Sequence, residues 1–220
     1  MVRIGYFKGW NGFAPVDVLA AEWSVLSVEI LVACLAERVR LLVDAAGTPR
    51  ARCAEIVKQL GGRAAYVLDG PARARTLAIA LHRGVDVVVT GPVDEAAPLA
   101  AGMWHHGWTR SDLRALAGAA VAGLVLAESR EPRVVELHRD GRAVVTKPPG
   151  APGDVLAETL GACLTGAYRT PDVEVDLAAV AVRQESPDRV ALVPPPGRRP
   201  PYREEAQNLI LDGIAHEIVL

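Results

Sequence analysis

Val85-Asp86-Val87-Val88-Val89-Thr90-Gly91-Pro92 is the stretch on which the fold turns. A short β-branched run closed by a Gly-Pro turn is a buried strand rather than a helix segment. The same grammar recurs upstream. Leu41-Leu42-Val43 runs into Asp44-Ala45-Ala46-Gly47-Thr48-Pro49. Thr48 is a natural N-cap and Pro49 a natural first helical residue. The helix Pro49–Leu60 then stops at Gly61-Gly62. Ala64 to Leu68 forms a further strand, ends in Asp69-Gly70-Pro71, and feeds a helix to about Arg83 that Gly84 stops. Another helix follows Pro92. An opening strand over Val2–Phe7 and a helix over 16–37 complete four strands and four helices in the first half. Such alternation predicts an α/β fold: a Rossmann-like parallel sheet with flanking helices and right-handed crossovers.

Further along, Thr109 and Asp112 stand at capping-box spacing before an Ala- and Gly-rich helix that runs to Ala127. After about Glu131 the texture changes. Arg133–His138 and Arg142–Thr146 flank Arg139-Asp140-Gly141, a hairpin signal. A stiff loop covers 147–153, a helix is expected over Asp154–Ala167, and a strand over Val173–Val182 that pairs with Val190–Val193. The prolines of 194–201 cross the molecule, and Glu204–Ile214 reads as a helix. Residues 1–130 are therefore expected to form the Rossmann-like domain, and 131–220 a smaller α+β portion packed on it.

Composition narrows the function classes. With 24 basic and 26 acidic residues the net charge is −2, which gives no footprint for nucleic acid. Cys34, Cys53 and Cys163 are far apart, fit no metal spacing, and suit a reducing compartment. The chain opens directly into a strand without a leader pattern. Its longest apolar run, Val25 to Ala36, is broken by Glu29 and is too short to span a bilayer. The expectation is a cytoplasmic protein acting on a small molecule, with no membrane or nucleic-acid partner.

Ligands of open parallel sheets bind beyond the carboxyl ends of the strands. That edge carries Asp44, Gly47, Thr48, Asp69, Gly70, Thr90, Gly91, Asp94 and Glu95, together with Lys8, Trp10 and Asn11 after the opening strand. Glycines there admit a ligand to the backbone, and helix N-termini favour anions. The same residues are also ordinary turn formers and caps. Neither GxGxxG nor GxxxxGK[ST] is present, so the motifs name no cofactor. Glu29, alone in an apolar stretch, is an acid/base candidate if buried and merely marks a polar face if exposed. Lys147, beside Pro148-Pro149-Gly150, is either an anion clamp or a surface charge. His105 and His106 are adjacent, so they point apart on a helix and chelate poorly. No metal site is expected.

The chain also resembles a known family. GVDVVVTGPVDEAAPLAAGMWHHGWTRSDLRALAGAAVAGLVLAE, Gly84 to Glu128, is similar to the strand, Thr-Gly turn, Gly-Trp and Ala-Gly-rich helix of acyclic terpene utilisation (AtuA-like) proteins. VVTKPPGAPGDVLAETL, Val144 to Leu160, resembles their Lys-Pro-Pro-Gly segment and following helix. Tyr168 to Val190, Asp44 to Val57 and Leu26 to Ala36 resemble further stretches, and Glu29 falls where the family has a glutamate. The family is implicated in breaking down acyclic terpenes through coenzyme A thioesters, with a lyase step on a branched hydroxyacyl thioester proposed for it. The resemblance thus implies a lyase-type enzyme with a coenzyme A thioester or branched carboxylic substrate.

On that basis Glu29, Glu95 and Asp44 are the catalytic candidates. Gly47, Thr48, Gly70, Thr90, Gly91, Lys147 and Gly150 are the candidates for holding anionic groups. Several ligand-loop positions depart from the family pattern: Pro92 replaces an arginine, Glu95 an aspartate, Asp44 an asparagine, and Ala151-Pro152 a Thr-Gly pair. These departures leave open a non-catalytic binding or assembly subunit and a repurposed tailoring enzyme of secondary metabolism. A homo-oligomer or a partner subunit is expected.

Overall fold

The computed structural model describes residues 1–7, 15–68, 70, 73–129, 131–201 and 206–219. Five strands pair in parallel: β1 (Val2–Phe7), β2 (Val18–Glu22), β3 (Arg40–Asp44), β4 (Ala64–Val67) and β5 (Val87–Thr90), in the order β1-β2-β3-β5-β4. Helices α1 (Val28–Ala36), α2 (Arg50–Gln59), α3 (Ala74–His82), α4 (Ala96–His106) and α5 (Leu113–Glu128) are threaded among and after them. Leu31 and Cys34 of α1 and Cys53, Ala54 and Val57 of α2 cover one face of the sheet. Leu77 and Leu81 of α3, Leu99 of α4, and Leu116, Val121 and Leu126 of α5 cover the other. The handedness of crossovers explains this split. The chain moves outward from β1 to β4, then returns to place β5 inside β4, and a reversed right-handed crossover puts its helix on the opposite face.

The span 16–37 corrects the expectation of a single helix. Val18, Leu19, Ala20 and Ala21 are all buried, paired in register between β1 and β3. A run buried on both faces suits a central strand. The helix itself starts only after Ser27, whose hydroxyl accepts the N–H of Ile30 at 3.4 Å. Thr48 is likewise not the cap of α2: Pro49 is, at φ −56°, and no side chain caps that helix. At α5 the capping pair closes the preceding turn instead, the Asp112 carboxylate accepting the Thr109 N–H at 2.7 Å.

The later strands extend the same sheet at both edges. β6 (Arg133–Leu137) pairs antiparallel with β1, and β7 (Ala143–Thr146) with β6. α6 spans only Ala157–Ala162, since Ala167–Arg169 is strand β8, paired with β9 (Glu174–Asp176) in a separate two-stranded ribbon. The expected strand over Val173–Val182 is therefore broken: after β9 the chain makes a 3-10 turn over Leu177–Ala179 and only then enters β10 (Ala181–Ser186). β11 (Arg189–Val193) joins β10 to β7. The expected C-terminal helix is a hairpin, β12 (Ala206–Leu211) and β13 (Ile214–Val219), added to β4. Gln207, Leu209 and Leu211 are buried while Ala206 and Asn208 are exposed, a period of two that belongs to a strand. The eleven-stranded sheet is thus mixed, and the Rossmann-like description fits its parallel half.

Over β6, β1 and β11 an ion-pair ladder lies on one face. Glu136 accepts from Arg3 at 3.0 Å and Arg189 at 2.8 Å, and Arg189 also pairs with Glu185 at 3.1 Å. Burial pushes the Glu136 carboxyl up, but the donors from Arg189 and Arg3 outweigh it and hold the group below its ordinary 4.5. A depressed carboxylate contributes stability above its unfolded pKa and loses it as pH falls through the folded one. Glu136→Gln should lower stability at neutral pH by about 1–3 kcal/mol. Below pH 4.5 the gap between variant and wild-type melting temperatures should shrink. Parallel pH profiles for the two proteins would contradict this assignment.

Candidate functional site

Glu22, Asp44 and Thr90 end β2, β3 and β5 level with one another, as the register Glu22↔Asp44↔Thr90 requires. The chain leaving β3 goes to α2 on one face, and the chain leaving β5 goes to α4 on the other. Adjacent parallel strands whose connections part in this way open a crevice at their carboxyl ends. A cleft of about 570 Å³ lies there. Its wall includes the carboxylates Glu22, Asp44, Asp94, Glu95 and Asp172, the arginines Arg73 and Arg169, and an apolar side with Val93 and Leu99.

The turn between β5 and α4 carries the central group. Glu95 stands at the N-terminus of α4, where the helix dipole favours a negative charge. Two contacts fix this turn. The buried Tyr6 hydroxyl of β1 donates to the Asp94 carbonyl oxygen. α5 approaches so closely that a Cβ on Gly123 would collide with the Glu95 backbone, its Cα lying 3.0 Å away. The Tyr168 hydroxyl of β8 donates to Glu95 Oε2. Burial, and then the bond to Glu95, push the Tyr168 phenol up, so it keeps its proton at neutral pH. Burial likewise shifts Tyr6 up, ahead of the charges of Asp94 and Glu95.

Asp172 sits in the loop joining β8 to β9. Buried Thr170 shapes that loop, its hydroxyl accepting the N–H groups of Asp172 at 3.2 Å and Val173 at 3.0 Å. Burial raises the Asp172 carboxyl more than Arg110, Arg73 and Arg75 together lower it. Asp172 therefore binds a proton more readily than an exposed aspartate would.

Of the residues singled out from sequence, Asp44, Asp94 and Glu95 come together in this cleft. The Asp44 carboxylate accepts the Ala46 N–H at 2.9 Å, and the turn continues through Ala46 at φ 47° and Gly47 at φ 85°. Thr48 follows on the same turn, its N–H bonded to the Ala45 carbonyl at 2.9 Å. Thr90 and Gly91 are buried beneath the cleft wall, and the Thr90 hydroxyl has no hydrogen-bond partner among the described residues. Gly70 is exposed at φ 68°, its carbonyl accepting from Arg50 at 3.1 Å.

Glu29, Lys147 and Gly150 are not among the residues lining the cleft. Glu29 is exposed in the first turn of α1, where the Ser27 hydroxyl holds its carboxyl low, so the burial on which its candidacy leaned is absent. Lys147 is turned onto its own loop, donating to the Gly153 carbonyl at 2.7 Å and pairing with Asp188 at 3.0 Å. Exposed Gly150, at φ 74°, turns that loop. His106 bonds the Leu137 carbonyl at 3.1 Å and stacks on Trp108, serving packing. Lys8, Trp10, Asn11 and Asp69 lie outside the described residues. Among the described residues, no three His, Cys, Asp or Glu side chains are grouped to hold a metal.

The sequence model of the acyclic terpene utilisation family protein AtuA matches residues 73–129 and 132–219, more than half of the chain. The chain belongs to this family. No curated protein and no solved structure matches it. The matched AtuA segments contribute α3, the Glu95 helix α4, α5 and the Tyr168–Asp172 loop, whereas Glu22 and Asp44 precede them. Glu22, Tyr168 and Asp172 were not singled out by sequence reasoning. A strand ending in an acid, the grammar that flagged Asp44, would have found Glu22 had its segment been recognised as β. Tyr168 and Asp172 carry no local signal, because the bond of one to Glu95 and the place of the other in the cleft depend on the separate ribbon. No helix among the described residues is long and apolar enough to cross a membrane.

Proposed function

We propose that this AtuA family member is a lyase-type enzyme acting on a branched acyl thioester. Its reacting end enters the strand-edge cleft, Glu95 serves as acid/base, and Tyr168 orients it. The observation that carries this reading is the Tyr168–Glu95 hydrogen bond, with Glu95 itself lining a cleft at the divergence of β3 and β5. A carboxylate held by a protonated phenol can take a proton from bound substrate and return it to product. Five carboxylates against two arginines disfavour a free carboxylate at the reacting end, and the Val93 and Leu99 side suits a branched alkyl group. The neutral carbonyl of a thioester meets both conditions.

A thermal-shift titration with a branched acyl-CoA and with the corresponding free acid tests this reading. Ligand at a hundred times its Kd adds about 2.7 kcal/mol, worth a rise of several degrees at this size. The thioester should raise the melting temperature and the free acid should not. The opposite order would overturn the substrate assignment.

A binding or assembly subunit is a second reading, favoured by Val25, Val28 and Val32, which are exposed together around the start of α1. Such a patch suits a subunit contact, whether with a second copy or with a partner chain. If the chain is an assembly subunit, no thioester shifts the melting temperature.

A further inference from the structure

Beyond Asp172 the cleft changes sign. Asp172 also lines two adjoining grooves of about 450 and 270 Å³, and both are shared by Arg110 and Arg199. Arg75, in the first turn of α3, lines the larger one beside Trp108. The smaller is walled by Pro171 and Pro200, which hold its shape. Three arginines therefore converge from three distant parts of the chain: α3, the turn before α5, and the proline-rich segment. Among the described residues lining the grooves, Asp172 is the one carboxylate. On the other side of the same residue, the strand-edge cleft holds five carboxylates.

We infer that this arginine-lined groove binds the phosphate-bearing end of the ligand whose neutral end occupies the strand-edge cleft. Guanidinium groups match phosphate oxygens in pairs, and among the described residues lining the grooves three of them stand against one carboxylate. The acidic cleft would repel the same phosphates. Opposite linings on either side of Asp172 thus orient a ligand that is neutral at one end and polyanionic at the other. Lys147 and the glycine turns are not needed for the anion. This assignment rests on the proposed thioester reading only for the neutral end; the groove's affinity for phosphate is independent of it.

The test compares coenzyme A with pantetheine, which lacks all of its phosphates, by calorimetric titration of the full chain. Inorganic pyrophosphate serves as a third probe. Coenzyme A should bind at least about tenfold tighter than pantetheine, and added salt should erode the difference. Arg75→Glu combined with Arg199→Glu should abolish that preference and pyrophosphate binding while leaving the weak pantetheine binding unchanged. Both side chains are exposed, and Arg75→Gln with Arg199→Gln provides a gentler pair should the reversals disturb folding. Equal affinity for coenzyme A and pantetheine, no binding of either phosphate probe, or a preference that survives the substitutions would each overturn the inference. Branched acyl-pantetheine separates the two assignments. If it binds wild type as well as the acyl-CoA does, the groove fails and the cleft stands. If coenzyme A is preferred but the acyl group adds nothing, the groove stands and the cleft reading fails.

Discussion

Replacing Gly118 with alanine should cost the protein about 3 kcal/mol, which at this size lowers the melting temperature by about 6–12 °C. Gly118 lies on the buried face of α5, against the turn of the β6–β7 hairpin. A Cβ there would overlap the Gly141 carbonyl oxygen. The obstacle is backbone, so no rotamer change relieves it. Gly141 cannot retreat either, because it is held at φ 86° and its own Cβ position is already occupied by the backbone of Arg114 and Ala115. The better helix propensity of alanine returns only about 1 kcal/mol. Gly161→Ala in α6 is the control, since a Cβ there meets only Val182 at 4.0 Å. It should melt at or slightly above the wild-type temperature. If Gly118→Ala melts with the wild type, the close packing of α5 on the hairpin is wrong.

The second large effect is on chemistry. Glu95→Gln should reduce turnover of a branched acyl thioester by about a hundredfold to ten-thousandfold, the usual span for losing a positioned acid/base. The amide keeps the size and the bond to Tyr168 but can no longer accept a substrate proton. Tyr168→Phe removes only the donor that orients Glu95. It should lower kcat less than Glu95→Gln does and leave KM near the wild-type value, the pattern of a positioning residue. Undiminished turnover in Glu95→Gln would remove Glu95 from the mechanism.

Much of this arrangement was legible in the sequence, and the rest failed for identifiable reasons. Val87–Thr90, Arg40–Asp44 and Ala64–Val67 announced themselves because a central parallel strand must be apolar on both faces and end in a turn. Asp44 and Glu95 followed, since the ends of such strands are where ligands approach. Val18–Glu22 was hidden because Leu19-Ala20-Ala21-Glu22 suits a helix equally well, and only pairing with β1 and β3 decides the matter. Ala206–Leu211 was missed because this strand draws its stability from pairing with β4 and β13 rather than from its own residues. Tyr168 meets Glu95 across 73 positions, a contact that no local pattern encodes. For Glu29 the sequence left burial and a polar face both open, and the structure shows the exposed first turn of its helix.

Ligand is expected to sit at the divergence of β3 and β5. Amide hydrogen exchange, followed with and without saturating branched acyl-CoA, tests it most directly. Exchange should slow at residues 44–48, 92–97 and 170–173 when ligand is bound. Bound ligand that protects 147–155 or the β10–β11 edge instead, and leaves those three segments unchanged, would contradict it.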